Sequence, residues 1–450
     1  MSTTSLNVND LLNQAKFSKF HLSVVFWCTL INICDGYDLV IYGVVLPRLM
    51  EQWSLTSVQA GMLASTAMCG MLVGALSCGI LADKFGRKRV LLLCVFFLST
   101  FTLLGSFAST PTEFAILRFL AGLGIGGAMP NVVALTSEYS PKKSRITMVS
   151  IMSCGYAVGA IISALVGSIL VERFGWQIMF MLAGIPLLFI PIMWKYLPES
   201  LVFNVKKNNT EKAHALIAKV DPTVNIHHDT KLVLNESLEK AYGSGRVLFQ
   251  EGRAAGTLKF WTAFFMCLLV VYALSSWLPK LMYNAGYPLG KSILFLLAMN
   301  VGGIIGGTTS GMLADKFHIK PVVISLFCIA ALSLIALGFN TSAIILYTLV
   351  AVAGASIQGA SILLYSYVAQ FYPLVANSTG IGWASAIGRT GAIAGPILAG
   401  MLLVLNLPHL MNFVLISVPA LIAAISIGLL STTKKKVEQP VALVTQQSLE

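Results

Sequence analysis

Four ionisable side chains fall inside long apolar runs of this sequence: Asp35 and Asp38 in the first run, Arg118 in the fourth and Arg389 in the eleventh. A charge at the centre of a bilayer costs about 3 kcal/mol even on lenient insertion scales, so each such residue is functional or paired. Asp35 and Asp38 are three apart, which on a helix places them on one face about a turn from each other. Two carboxylates that close in a low dielectric cannot both ionise cheaply, and this suits the pair to loading a proton on one side of a membrane and releasing it on the other. The competing reading is a fixed salt bridge, for which Arg118 reaches a similar depth; Arg118 is also placed to modulate the carboxylates by pairing in one state only. Arg389 stands about twelve residues into its run, near the midplane. Its planar guanidinium fork matches a carboxylate bidentately. Either a substrate anion supplies its counter-charge, or a first-half aspartate does so as a latch between domains, and the two roles can alternate.

A second charged group lies between runs. In Gly79-Ile-Leu-Ala-Asp83-Lys-Phe-Gly86-Arg87-Lys88-Arg89 an acid at a helix end is followed by the bases Arg87, Lys88 and Arg89. These can form a charge network that latches one gate while the opposite gate is open, with Glu138 and Arg145 at neighbouring helix ends placed to complete it. The simpler reading is anchoring by basic residues on the cytoplasmic side, which accounts for the lysines but not for Asp83.

The elements that position these groups follow from composition. At 450 residues a soluble protein would hold about three domains. Here 56% of residues are hydrophobic, only 11% are Asp, Glu, Lys or Arg, and the mean hydropathy is +0.81. That leaves too little polar surface for a water-soluble fold, against roughly 25% charged residues in an average domain. A span needs about 20 apolar residues, and twelve are expected: 22–46, 58–82, 89–109, 112–137, 146–171, 176–197, 257–281, 290–314, 319–338, 342–368, 377–404 and 409–431. The chain therefore divides into an N-terminal segment (1–21), a six-helix bundle (22–197), a central loop (198–256) that is partly helical, a second six-helix bundle (257–431) and a tail (432–450). With the N-terminus in the cytoplasm, 24 of the 30 Lys and Arg residues lie inside and four outside (Arg48, Arg173, Lys280, Lys291), so both termini are expected to be cytoplasmic. The N-terminus has no cleavable signal pattern. The net charge of +12 belongs to this topology, and no basic soluble domain for nucleic acid is present. The eight cysteines show no metal or disulfide spacing and read as small buried hydrophobes. No metal, no cofactor and no catalytic constellation is expected. Gly122-x-Gly124-x-Gly126-Gly127 lies inside a span with no strand before it, so it serves helix packing rather than a dinucleotide.

The halves repeat. Leu-Ala-Asp-Lys-Phe after the second span recurs 232 residues later after the eighth, where Asp315 is kept and His318-Ile319-Lys320 replaces Gly-Arg-Lys, predicting a weaker second latch. A parallel repeat of six-helix bundles is the layout of a rocker-type transporter with its substrate near the midplane. The 79–89 motif, Arg118-Phe-Leu-Ala-Gly122-Leu-Gly124-Ile-Gly126-Gly127 and Leu197-Pro198-Glu199-Ser200 resemble the motifs of the major facilitator superfamily. Within it, Asp35-Gly36-Tyr37-Asp38, Met129-Pro130-Asn131, Thr136-Ser137-Glu138-Tyr139, Ser276-Trp277-Leu278-Pro279 and Gly388-Arg389-Thr-Gly391 are similar to the aromatic acid:proton symporter family. Asn377 departs from that family's pattern, which has an arginine there.

The resemblance implies an all-α membrane protein of the major facilitator fold in a bacterial inner membrane. It would act as a monomer and import a small aromatic carboxylate such as benzoate or a hydroxybenzoate with protons. Another organic acid (an aliphatic dicarboxylate, a sugar acid or a nicotinate-like acid) is the alternative substrate, and a non-transporting sensor the alternative function. Aromatic walls favour a planar ring. Tyr42, Tyr156, Tyr272, Trp277, Tyr365 and Trp383 are the candidates for these, half of them expected to face the cavity, and Asn131, Asn300 and Gln358 are candidates for neutral hydrogen bonds. Each is also a natural packing or helix-bridging residue.

Overall fold

A computed structural model of the chain describes residues 5–220, 231–233, 248–250, 252–339, 342–372, 374–405 and 407–430. Among the described residues twelve helices are long and apolar enough to cross a membrane: Lys19–Gln52, Ser57–Phe85, Arg87–Gly105, Pro111–Tyr139, Thr147–Phe174, Gln177–Tyr196, Ala254–Asn284, Leu289–Phe317, Ile319–Ala336, Ala343–Phe371, Thr379–Val404 and His409–Gly428. All twelve expected spans are present. The first is longer than the sequence suggested, 34 residues or about 51 Å, so its polar ends project beyond a hydrocarbon core of about 30 Å. The sixth is two helices, Gln177–Leu182 and Pro186–Tyr196, interrupted where Pro186 has no N–H to donate.

Local chemistry sets the span ends. Thr56 and Gln59 form a reciprocal capping box at the second span, and Thr110 and Glu113 form one at the fourth, with Pro111 in its first turn. The second and third spans are separated by Gly86 at φ 98°, a conformation that costs glycine little. At the equivalent point of the second half stands His318 at φ 65°. The repeat is thus preserved in backbone shape even where its glycine is lost.

In the first half the second span packs on the fourth and the first on the fifth; in the second half the eighth packs on the tenth and the seventh on the eleventh. The halves meet where the first span touches the seventh, the second the eleventh and the fifth the eighth, the last two being equivalents under the pseudo-two-fold repeat. These meetings lie toward the end away from the termini. Ser65 Oγ donates to Ile393 O at 2.6 Å, and Gly290 N donates to Glu172 Oε1 at 2.9 Å. A side chain at Gly61 would strike the Pro396 carbonyl, and one at Gly43 the Ser275 carbonyl, so the backbones themselves close this end. At the terminus-bearing end, Asp83 and Asp315 are exposed and form no ion pair among the described residues. The two bundles are therefore closed at one end and splayed at the other.

At the splayed end Ser5–Asn7 pairs in parallel with Lys231–Val233, and the short helix Val8–Gln14 follows. The central loop contains helices Leu201–Lys206 and Thr210–Val220, as expected of a partly helical linker. Val8, Leu12, Leu201, Ala213 and Ile217 share one apolar cluster with the inner ends of the first-half spans. His227-His228, the Asn377 side chain and the tail from Ser431 lie outside the described residues. Cys28, Cys78, Cys94 and Cys267 are buried, whereas Cys154 is exposed.

Candidate functional site

The two aspartates of the first span have separate surroundings. Asp38 is 1% exposed, and its Oδ2 lies 2.8 Å from Arg118 Nη1. Arg118 Nη2 also donates to the Asp38 carbonyl at 3.3 Å, and Thr102 Oγ1 donates to Asp38 Oδ1 at 2.6 Å. The guanidinium carbon stands 5.9 Å from the centre of the Phe180 ring. Both carboxylate oxygens and one edge of the arginine are thereby committed, joining the first, third, fourth and sixth spans. In this conformation the salt bridge to Arg118 falls on Asp38 rather than on both acids.

Asp35 is 3% exposed, and its Oδ1 is buried with no hydrogen-bond partner. The charges that act on it are Asp38 beside it and Arg389 from the other half. Arg389 mirrors it, with a buried Nη1 that has no hydrogen-bond partner. Tyr156 from the fifth span and Tyr272 from the seventh lie in the field of Asp35 and of each other, and Tyr272 is also within reach of Arg389 and Tyr365. Tyr365 presents its hydroxyl to Ser385 Oγ at 3.4 Å and its ring to Phe264, with centroids 4.9 Å apart. A buried carboxylate of one half and a half-buried guanidinium of the other, each with a buried polar atom that has no hydrogen-bond partner, thus lie in one another's electrostatic field without forming an ion pair.

Glycines bring these backbones together. Gly36, between the two aspartates, leaves room for the Tyr156 carbonyl, which a side chain would strike; Gly391 does the same for Phe265 beneath Arg389. Asn32 donates to Met152 O at 3.0 Å, holding the first span to the fifth one turn below the site.

The other sequence candidates make the following contacts. Tyr42 gives its hydroxyl to Ala60 O at 2.5 Å, and Trp277 gives its indole N–H to Pro396 O at 2.9 Å, both in the packed core toward the closed end. Asn131 is buried and donates to Gly127 O within its own helix at 2.8 Å, and Asn300 donates likewise to Leu296 O at 2.8 Å. Gln358 is half-buried and packs against Gly303. Trp383 is 47% exposed and stacks on Trp261 at 5.8 Å. Of the six aromatic candidates, Tyr156 and Tyr272 lie in the field of Asp35, and Tyr365 lies beside Tyr272. Thr102 and Phe180, which fix the Asp38–Arg118 pair, were not foreseen; a lone threonine in an apolar span is too common to stand out.

Among the described residues the charge network at the splayed end belongs to the first half. Arg87 forms an ion pair with Glu138, which also accepts from Ser200 Oγ at 2.9 Å and from Val202 N at 3.1 Å. Lys88 N donates to Glu199 Oε1 at 3.0 Å, and the Tyr139 hydroxyl donates to the Glu199 carbonyl. A side chain at Gly86 would strike the Glu199 carboxylate. Glu199 and Ser200, known from the sequence only as the end of the sixth span, are therefore central members. Arg145 instead ties the N-terminal helix down, with Nη2 2.6 Å from Asn13 Oδ1. Asp83, Arg89 and Asp315 are exposed, without an ion pair among the described residues.

A family model described as Major Facilitator Superfamily matches residues 28–373. A benzoate transport protein of Acinetobacter baylyi is 46% identical over 449 residues, covering 98% of this chain and 96% of that protein. A gentisate transporter of Corynebacterium glutamicum is 35% identical over 408 residues, covering 90% and 86%. Among solved structures, a partially occluded inward-open conformation of the xylose transporter XylE from E. coli superposes with a TM-score of 0.71 at 18% identity, covering 91% of this chain and 97% of that one.

Proposed function

The chain belongs to the Major Facilitator Superfamily, in its aromatic acid:proton symporter family, and from that premise we propose that it is a proton-coupled importer of aromatic monocarboxylates such as benzoate and hydroxybenzoates. It is a multi-pass membrane transporter and not an enzyme. The observation that carries the reading is that Asp35, buried with an unpaired oxygen, lies in the field of the half-buried Arg389 of the other half, whose buried Nη1 is also unpaired. Arg389 holds the substrate carboxylate through its planar fork. Tyr156, Tyr272 and Tyr365 form walls for the ring, since offset and edge contacts favour an aromatic guest beyond simple burial. Asp35 carries the proton, and the Asp38–Arg118 pair holds the first span in place around it.

The cycle is alternating access. With both termini in the cytoplasm, the closed end is periplasmic and the conformation faces inward. Opening outward separates the seam at Ser65–Ile393 and Glu172–Gly290, and the exposed Asp83 and Asp315 then approach the opposite half as the inner end closes. The membrane is the bacterial inner membrane. The test is uptake of labelled benzoate and 4-hydroxybenzoate into proteoliposomes, with and without an inward pH gradient, comparing the native chain with Asp35→Asn. Gradient-driven accumulation that the substitution abolishes is expected. No uptake of either acid by folded protein would overturn the substrate, and accumulation indifferent to the substitution would overturn the role of Asp35.

A further inference from the structure

The membrane interior of this protein holds few enough charges to be counted. Of the 18 acidic residues in the chain, Asp35 and Asp38 lie deep within a span and Glu138 lies in the last turn of the fourth. Asp38 is committed to Arg118 and Thr102, and Glu138 to Arg87, Ser200 and Val202. Of the two arginines deep within spans, Arg118 is taken by Asp38, which leaves buried Asp35 and half-buried Arg389 as the remaining opposite charges, one from each half, each with a buried atom that has no hydrogen-bond partner. The other titratable groups around Asp35 are Tyr156, Tyr272, Cys34 and Cys94, side chains of types that carry no charge at neutral pH. Resting on the symport reading above, we propose that the chain moves one proton with each monoanionic carboxylate, Arg389 exchanging Asp35 for the substrate as its counter-charge.

The charge arithmetic follows from this pairing. In the empty site an ionised Asp35 balances Arg389, and the pair is neutral. When a substrate carboxylate takes the guanidinium, Asp35 faces a second anion in a buried setting and binds one proton from the outer water on a carboxylate oxygen. The loaded site is again neutral. These are the two forms that must pass through the occluded state, and an uncompensated buried charge is costly there. Substrate without the proton leaves one negative charge, and the proton without substrate leaves one positive charge, so neither half-loaded form reorients readily. On the inner side the substrate leaves, Asp35 gives its proton to the inner water, and the Asp35–Arg389 balance is restored. A second proton would need Asp38, whose protonation would strand the Arg118 guanidinium in the core.

The experiment separates the two components of the proton gradient. The full chain in proteoliposomes, measured against protein-free vesicles, is given labelled 4-hydroxybenzoate under a pH gradient alone, under an inside-negative potassium diffusion potential alone, and under both. The expected result is accumulation with the pH gradient, none with the potential alone, and an unchanged steady-state ratio when the potential is added. A two-proton cycle would instead raise the ratio about 50-fold for each 100 mV, and that outcome overturns the one-proton stoichiometry while leaving symport intact. Uptake that an inside-negative potential suppresses means anion transport without a proton, which also overturns it. Absence of uptake under every gradient overturns the symport reading and this inference together.

Discussion

Asp38 Oδ2 stands 2.8 Å from Arg118 Nη1, whereas Asp35, three residues earlier on the same helix, has a buried oxygen with no hydrogen-bond partner. Removing one member of a buried ion pair leaves the other charge uncompensated, at a cost of about 3–5 kcal/mol. Asp38→Asn and Arg118→Ala should therefore each lower the unfolding temperature in detergent and the yield of folded protein. Asp38→Asn combined with Arg118→Gln should recover much of the loss, because neither charge is then stranded. Asp35→Asn leaves the half-buried Arg389 without its resting counter-charge but breaks no ion pair and no hydrogen bond at Oδ1, so it should lower the unfolding temperature less than Asp38→Asn, while gradient-driven accumulation falls at least tenfold. Equal destabilisation by the two aspartate substitutions would refute this division of roles.

How much of this was legible in the sequence differs by scale. The twelve spans and the repeat were, because about 20 apolar residues between caps such as Thr56 and Thr110 have one stable home in a bilayer. The choice of partner for Arg118 was not. Asp35 and Asp38 differ by only about 4.5 Å along the helix axis, less than the uncertainty of a span boundary read from hydropathy, so either acid could be set level with the arginine. The hydrogen bonds of Tyr42 and Trp277 were hidden for a different reason. Their polar tips are taken by the carbonyls of Ala60 and Pro396, and no side-chain pattern announces a backbone acceptor. Glu199 reads as the polar end of a span until its carboxylate is found accepting from Lys88 N and its carbonyl from the Tyr139 hydroxyl.

Arg389 offers a test of the substrate clamp. A guanidinium presents a rigid planar fork to a carboxylate, and an ammonium presents a point charge. Arg389→Lys should raise the half-saturating concentration of benzoate roughly tenfold, one hydrogen bond to a charged group contributing about 1.5 kcal/mol. Arg389→Ala should abolish saturable binding. Binding measured by tryptophan quenching or isothermal calorimetry on purified protein distinguishes the cases. Full tolerance of lysine would exclude bidentate recognition.

At the splayed end, Arg87 and Glu138 are separable from Asp83. Glu138 is nearly buried and its oxygens are engaged by Arg87, Ser200 Oγ and Val202 N. Arg87→Ala should thus destabilise the first half toward the lower end of about 3–5 kcal/mol, since the arginine retains some exposure, and Glu138→Gln in the same chain should relieve part of the loss. Asp83, exposed and without an ion pair, should tolerate Asp83→Asn with no change in unfolding temperature. Its effect should appear in transport rate if it engages the opposite half when the inner end closes. Thermal unfolding and uptake measured on the same preparations separate the two effects.

The seam at the closed end makes the last prediction. Glu172, at the end of the fifth span, accepts from Gly290 N in the first turn of the eighth, so a carboxylate of one half sits on the helix N-terminus of the other. The pseudo-equivalent crossing of the second and eleventh spans is fastened instead by the Ser65 hydroxyl on the Ile393 carbonyl. A negative charge at an exposed helix N-terminus contributes about 0.3–1 kcal/mol, so Glu172→Ala should move the population toward the outward-open form by about two- to fivefold, and Glu172→Gln, which keeps an acceptor but not the charge, by less. Spin labels at Glu51 and Ala285, exposed on opposite halves near this end, would report the shift as a longer component in their distance distribution. Because the seam also rests on backbone contact at Gly43 and Gly61, adding Gly61→Ala to Glu172→Ala should lengthen the distances further, the new methyl group being driven against the Pro396 carbonyl. Identical distributions in all of these variants would mean that the crossing contacts do not set the balance between the two faces of the transporter.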